Sequence, residues 1–311
     1  MTLEVYRTDY SSYLSSDFST QEEAAINAIS GLKYVKNPPK SDCILVTTSN
    51  TVPQNIDAEV LKRCQLIIHP NSGYDLFSLK FLEEHKFPVL IGNEIRAQAV
   101  AQYILSCLFN HLVAPPFNPK WDKKRLWNRD LLGRLSCQII GYGHIGKILE
   151  KTLAPLNMKV RIFDPYATDL AHSEIDYKSN ILIMACGLNS ENHHLVNGKF
   201  LKKFPKNLLF INAARGKLVK ESDLTEYLKT NPEAFAYLDV FETEPLEKSE
   251  LQKLSNVKMS SHIAGCSHQL EQSMLDFEVK VMNDFLFWPD NFREKYKNVI
   301  LQNRIHKKIL I

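Results

Sequence analysis

The sequence predicts an α/β fold built from two doubly wound parallel-sheet domains. Three observations lead there. Apolar runs of strand length alternate with helical stretches through the first hundred residues. A second series of the same kind begins at Ser136. At its head stands a glycine-rich turn, Gly141-Tyr142-Gly143-His144-Ile145-Gly146. Alternating strands and helices give parallel sheets covered on both faces, and 311 residues suffice for two domains of ordinary size.

Composition narrows the class. Hydrophobic residues make up 44% and charged residues 23%, which excludes disorder along the whole chain. The net charge of +3 is mild, and basic residues are scattered apart from Lys120–Arg129 and the last few positions. That is not a nucleic-acid footprint. The cysteines at 43, 64, 107, 137, 186 and 266 form no Cys-x-x-Cys pair and no metal-finger spacing, so no metal is expected. The start has no basic stretch followed by an apolar one, and no run reaches the ~18 apolar residues of a membrane helix. The expectation is a reduced, cytoplasmic protein without nucleic-acid or membrane partners.

The first series places strands at Cys43–Val46, Leu66–Ile68 and Pro88–Ile91, with helices at Asp57–Arg63 and Phe77–His85 and a turn at Asn71–Asp75. A long helix spans about Ala97–Leu112 and stops at Ala114-Pro115-Pro116-Phe117-Asn118-Pro119. The polar, basic stretch Lys120–Arg134 is expected to cross from one domain to the other. The second series places strands at Cys137–Ile140, Val160–Phe163, Ile181–Ala185, Leu208–Asn212 and Phe235–Asp239. Helices are expected at Lys147–Leu156, Glu221–Lys229 and about His268–Phe287.

The glycine-rich turn lies between a strand and a helix, which is the setting a dinucleotide site requires. Gly141 permits a tight turn, Gly143 lets a pyrophosphate approach the backbone, and Gly146 lets helix and strand pack closely. The phosphates then meet the positive end of the helix. Asp164 ends the second strand of the series. Its carboxylate suits the ribose hydroxyls and opposes a 2′-phosphate, so NAD is expected rather than NADP.

Downstream lie one cation, carboxylates and an imidazole: Arg215, Asp239, Glu244 and His262. His262 suits a proton donor, because imidazole titrates near neutral pH. Glu244 could orient it and favour its protonated form. Arg215 can grip a carboxylate with two parallel donors. Taken singly, each has a plainer reading as a surface or capping residue; their joint appearance past predicted strands carries the case. An open α/β sheet binds ligands at that edge.

From about Cys43 to Asp284 the chain resembles the D-isomer-specific 2-hydroxyacid dehydrogenases. The likeness rests on Leu132-Gly133-Arg134, Gly141–Gly146, Phe163-Asp164-Pro165, Ile211–Val219, Leu238–Leu246 and His262-Ile263-Ala264-Gly265. It implies a Rossmann-type nucleotide domain (98–284) inserted into a flavodoxin-like substrate domain (1–97 and 285–311), with the active site between them. It implies that His262 is the acid/base, Glu244 its partner and Arg215 the clamp on a 2-oxo or 2-hydroxy acid. It extends the NAD contacts to His144, Ile145, Cys186, Ala213, Arg215, Asp239, His262 and Gly265, with Asp239 at the nicotinamide carboxamide. Ser72 and Gly73 would offer backbone N–H groups to the substrate carboxylate. A homodimer is implied as well.

The chain departs from the family pattern at Gln102-Tyr103, where Glu-His is frequent, and at Arg96, where a small polar residue is usual. Two readings stand for Arg96: contact with a second anionic group on the substrate, or a solvated side chain paired with a neighbour such as Glu94. A nucleotide-sensing, corepressor-like scaffold and a phospho-sugar acid dehydrogenase are the alternative functions on the same fold.

Overall fold

The computed structural model describes residues 2–117, 120–121, 123–125, 127, 129–166, 174–246 and 249–306. In chain order the first elements are β1 (Leu3–Arg7), α1 (Phe18–Asn27), β2 (Leu32–Tyr34), β3 (Cys43–Val46) and α2 (Ala58–Arg63). Then come β4 (Cys64–His69), α3 (Leu79–Glu84), β5 (Val89–Ile91) and the long α4 (Asn93–Leu112). The second series runs β6 (Ser136–Ile140), α5 (His144–Leu153), β7 (Lys159–Phe163), β8 (Ile181–Met184), α6 (Gly198–Leu201) and β9 (Leu209–Asn212). It continues with α7 (Glu221–Thr230), β10 (Phe235–Leu238) and β11 (Val257–Met259). The chain closes with α8 (Leu270–Phe287), α9 (Pro289–Lys295) and α10 (Leu301–His306).

The chain divides into two compact units. The first takes residues 2–96 and 266–306 of those described. Its described strands form one parallel sheet in the order β2-β1-β3-β4-β5, the flavodoxin-like arrangement. Both faces are covered, and the strand period of two shows it directly. In β3, Ile44 and Val46 pack with Ile26, Phe277 and Val281, whereas Cys43 and Leu45 pack with Val60, Phe81 and Leu301.

The second unit takes residues 97–265. Its described strands form a parallel sheet in the order β11-β10-β9-β8-β6-β7. The chain leaves β6 for β7 on one side and returns to β8 on the other, so the switch point lies at the end of β6. Val100, Ala101, Ile104 and Leu108 of α4 cover one face with Ile139, Ile183 and Ile211. Phe200, Leu224 and Leu228 cover the other with Leu182, Met184 and Phe210. No helix among the described residues is long and apolar enough to cross a membrane.

Two boundary expectations change. The chain passes from the first unit to the second inside α4, after Arg96, so the Lys120–Arg134 stretch makes no crossing; its described residues belong to the second unit. Residues 118, 119, 122, 126 and 128 lie outside those described. The return comes at Gly265/Cys266 and not near Asp284, because α8 belongs to the first unit. Its Phe277, Val281 and Met282 enter that unit's core beside Val5. Its Glu278 meets the buried Arg7 of β1, whose Nη2 donates to Glu278 Oε1 at 2.6 Å. Arg7 Nε donates to both oxygens of Glu22 on α1, at 2.7 and 2.9 Å. One buried cation thus ties α1 and α8 to the same strand.

Candidate active site

Every functional candidate of the second unit sits at the carboxyl ends of its strands. Gly141 follows β6 with φ +106°, a conformation that a side chain would strain. A Cβ there would lie 2.6 Å from the Ala185 carbonyl oxygen, and one at Gly146 would lie 2.3 Å from that of Gly141. Gly143 is the N-cap of α5, so no capping side chain shields the first helical turn, which His144 and Ile145 begin. The helix therefore starts three residues earlier than the hydrophobic pattern alone indicates. This cradle, with no Cβ at Gly141, Gly143 and Gly146 and at a helix N-terminus, fits a pyrophosphate.

Asp164 follows β7 and is buried, at 8% exposure. Oδ2 accepts from the Tyr142 N–H at 2.8 Å and Oδ1 from the Tyr166 N–H at 3.0 Å. The carboxylate therefore fixes the glycine turn as well as facing the neighbouring cavity. That cavity, about 180 Å³, is lined by Gly141, Asp164, Tyr166, Cys186, Asn189 and Leu195 among others. Cys186 follows β8, and burial, with the nearby charge of Asp164, pushes its thiol up to about 12. It is a neutral wall of the cavity, not a nucleophile.

Ala213 and Arg215 follow β9. Asn212, nearly fully buried, braces this turn: Oδ1 accepts from the Ala214 N–H at 3.1 Å and Nδ2 donates to the Arg215 carbonyl at 3.0 Å. Sequence reading gave Asn212 no role; an amide closing a strand end is its only signal. Arg215 Nη1 donates to the Ala214 carbonyl at 2.7 Å. Its charge also acts on Glu244, which places the two side chains in one neighbourhood.

Glu244 and His262 meet. The carboxylate Oε2 lies 2.7 Å from His262 Nδ1, and Oε1 accepts from the Phe241 N–H at 2.9 Å. Burial alone would raise the Glu244 carboxyl, but His262, the Phe241 N–H and Arg215 together hold it below its usual range. An ionised carboxylate can only accept, so the His262 proton sits on Nδ1 and Nε2 faces away from the pair.

Asp239 is fully buried, and its carboxylate holds the His262 loop. Oδ1 accepts from Ser260 Oγ at 2.6 Å and from the Ile263 N–H at 2.9 Å, and Oδ2 from the Ala264 N–H at 2.8 Å. The Asp239 carbonyl also takes the His262 N–H at 2.7 Å. These bonds keep His262 at φ +55°, a backbone state that costs a residue with a side chain about 1 kcal/mol. Tyr103, at one of the departures noted above, sits 2.6 Å from Ser260 Oγ and extends the brace onto α4. Gly265 is the last residue of this unit.

In the first unit, Ser72 and Gly73 follow β4. The buried His69 holds their loop. Its Nε2 lies 2.7 Å from the Gly73 carbonyl, which can only accept, so Nε2 carries the proton and Nδ1 accepts from Thr47 Oγ1 at 2.9 Å. Burial lowers His69 to about 4, and the ring stays neutral at ordinary pH. Arg96, in the first turn of α4, pairs with neither Glu94 nor bulk water alone; its nitrogens bond Pro70 and Tyr13.

Comparison with known proteins adds the chemistry. Residues 117–264 match the family model described as D-isomer specific 2-hydroxyacid dehydrogenase, NAD binding domain. A glyoxylate reductase of Pyrococcus horikoshii is 32% identical over 170 residues, 51% of this chain and 51% of that protein. The chain thus matches about half the length of that relative. A hydroxypyruvate reductase of Thermotoga maritima is 26% identical over 256 residues, 77% of this chain and 83% of that protein. Among solved structures, a D-lactate dehydrogenase of Aquifex aeolicus complexed with NAD and lactic acid has a TM-score of 0.71 at 19% identity, covering 96% of this chain and 99% of that one. The structure of D-2-hydroxyisocaproate dehydrogenase has a TM-score of 0.69 at 20% identity, covering 92% and 97%. The likeness to solved structures is one of fold; the family model adds NAD, which the glycine cradle and Asp164 suit. Fold, cofactor domain and motif order agree: over residues 117–264 the chain carries the NAD-binding domain of the D-isomer specific 2-hydroxyacid dehydrogenases.

Proposed function

We propose that the chain is an NAD-dependent oxidoreductase interconverting a 2-oxo acid and a D-2-hydroxy acid. The observation that carries this reading is the 2.7 Å contact between His262 Nδ1 and Glu244 Oε2, at the carboxyl edge of an NAD-binding sheet. Bound NAD supplies the hydride chemistry. Glu244 fixes the imidazole and favours its cationic form, and His262 Nε2 passes the proton to or from the substrate oxygen. Arg215 clamps the substrate carboxylate with its planar fork. On the first unit, Ser72 and Gly73 offer backbone N–H groups to the substrate, held by the neutral His69. Exposed Trp121, Trp127 and Leu131 support pairing into a homodimer, and a cytoplasmic setting completes the reading.

The test is NADH oxidation with a panel of 2-oxo acids from glyoxylate and hydroxypyruvate upward. Turnover with at least one is expected. Tight NADH binding without turnover on any 2-oxo acid would favour a nucleotide-sensing scaffold instead.

The cofactor reading makes its own prediction. Wild type is expected to bind NADH more tightly than NADPH, because a 2′-phosphate would face the buried Asp164. Asp164→Ser is expected to narrow that ratio by about tenfold or more. Serine keeps a short acceptor near the Tyr142 N–H, so the turn is less disturbed than by alanine. Equal affinity of wild type for both cofactors, read by fluorescence titration, would refute the assignment.

A further inference from the structure

Arg96 is a half-buried cation without a carboxylate partner among the described residues. Nη1 donates to the Pro70 carbonyl at 2.9 Å and Nη2 to the Tyr13 hydroxyl at 2.6 Å. The Met274 sulfur lies 3.9 Å from Nη2, and the guanidinium carbon lies 5.7 Å from the Tyr13 ring centre. Burial disfavours its charge and lowers its pKa, and the Tyr13 hydroxyl and Cys266 thiol offset this only in part. A charge taken out of water without a counter-ion is costly.

The groups around it have the same need. The Tyr13 hydroxyl, having accepted from Arg96, donates to Asn71 Oδ1 at 3.3 Å. Asn71 is 6% exposed, and its Nδ2 has no hydrogen-bond partner. The nearest acid on the loop after β1, Asp9, is already taken by the Thr48 and Thr51 hydroxyls. Buried polar groups are nearly always satisfied, so an unpartnered Asn71 amide, linked through Tyr13 to a guanidinium without a carboxylate, calls for an explanation. The guanidinium and the amide NH₂ are both donors. What completes the set is an acceptor with negative charge.

We propose that Arg96 and Asn71, joined through Tyr13, form a subsite for an oxyanion, a carboxylate or phosphate, at the end of the substrate remote from its 2-oxo acid group. This rests on the reductase reading, because Asn71 directly precedes Ser72 and Gly73, which hold the 2-oxo acid carboxylate in that reading. Adjacent Cα atoms lie about 3.8 Å apart, so the two acid groups belong to one short carbon chain. The substrate class is a doubly anionic 2-oxo acid, either a 2-oxo dicarboxylate or a phosphorylated 2-oxo acid.

Calorimetric binding to the whole chain tests the subsite without turnover. The probes are matched pairs: 2-oxoglutarate with 2-oxovalerate, and 3-phosphohydroxypyruvate with hydroxypyruvate. In wild type, one doubly charged probe is expected to bind about 10–100-fold more tightly than its singly charged partner, the range for hydrogen bonds to a charged group. Whichever pair shows the gap distinguishes carboxylate from phosphate. Arg96→Met, which keeps the packing against Met274, is expected to erase the gap while NADH affinity and melting temperature hold. Tyr13→Phe is expected to reduce it. Equal affinities within both pairs, no binding of any probe, or a gap that survives Arg96→Met would overturn the subsite. Reductase activity on simple 2-oxo acids would then still stand. An Arg96-dependent gap without turnover on any acid would instead sink the reductase reading and leave the subsite.

Discussion

His262→Asn is expected to lower kcat for reduction of an active 2-oxo acid by about 10²–10⁴-fold, the usual contribution of a positioned general acid. NADH affinity is expected to change far less, because the cradle at Gly141–Gly146 and Asp164 does not involve this residue. Asparagine is the informative substitution. Position 262 has φ +55°, a left-handed state that asparagine tolerates better than most residues. The Asp239 brace on the Ile263 and Ala264 N–H groups therefore survives, and only the proton carrier is lost. Glu244→Gln is expected to cost less, since an amide can still accept from Nδ1 but cannot favour the imidazolium by charge. The double variant is expected to be no slower than His262→Asn alone, because the pair acts as one unit. Near-normal turnover by His262→Asn, or additive losses in the double variant, would remove the dyad from the mechanism.

The second sheet and its edge were largely legible from sequence because the residues that make them lie next to one another. The Gly141–Gly146 turn, the strand before it and the helix after it are one local segment. Apolar runs such as Ile181–Met184 leave little room for another reading once both faces are buried. Strand ends then brought Asp164, Cys186, Arg215 and His262 to one edge without further information.

What sequence did not show depends on partners far along the chain. β1, Leu-Glu-Val-Tyr-Arg, carries a charge on each side of Val5 and Tyr6, of which only Val5 is buried, and does not read as a core strand. Arg7 is buried only because Glu22 and Glu278 reach it, 15 and 271 residues away. The return boundary failed for the same reason: the apolar stripe of α8 looks the same whichever unit receives it, and Glu278 decides the matter. β11 is three residues long, too short to show a period. The brace that Asp239 makes to Ser260, Ile263 and Ala264 exists only once the loop is folded, so sequence does not show it.

The Arg7 cluster therefore makes the sharpest stability prediction. Arg7→Leu is expected to destabilise the protein by about 3–5 kcal/mol in denaturant unfolding, because it leaves two carboxyl groups buried without their cation. The side chains of Arg7, Glu22 and Glu278 are all fully buried. Burial raises the Glu278 carboxyl, Arg7 draws it down, and the neighbouring Glu22 pushes it up again, leaving it well above the usual carboxylate range. With one cation facing two acids, Glu278 keeps its proton near neutral pH. The folded state then holds a proton that the unfolded state has released, so stability from this group is fully present below about pH 4 and declines as pH rises from there toward the raised pKa. Glu278→Gln keeps a neutral polar head in the same space. It is expected to flatten that decline at little cost, whereas Arg7→Leu removes the attraction that Glu22 and Glu278 share. Joint replacement of all three by apolar residues is expected to recover most of the loss, since a well-packed apolar triad can match a buried ionic one. If Arg7→Leu unfolds at the wild-type denaturant midpoint, or Glu278→Gln leaves the pH profile unchanged, the cluster is not what ties α8 to the first unit.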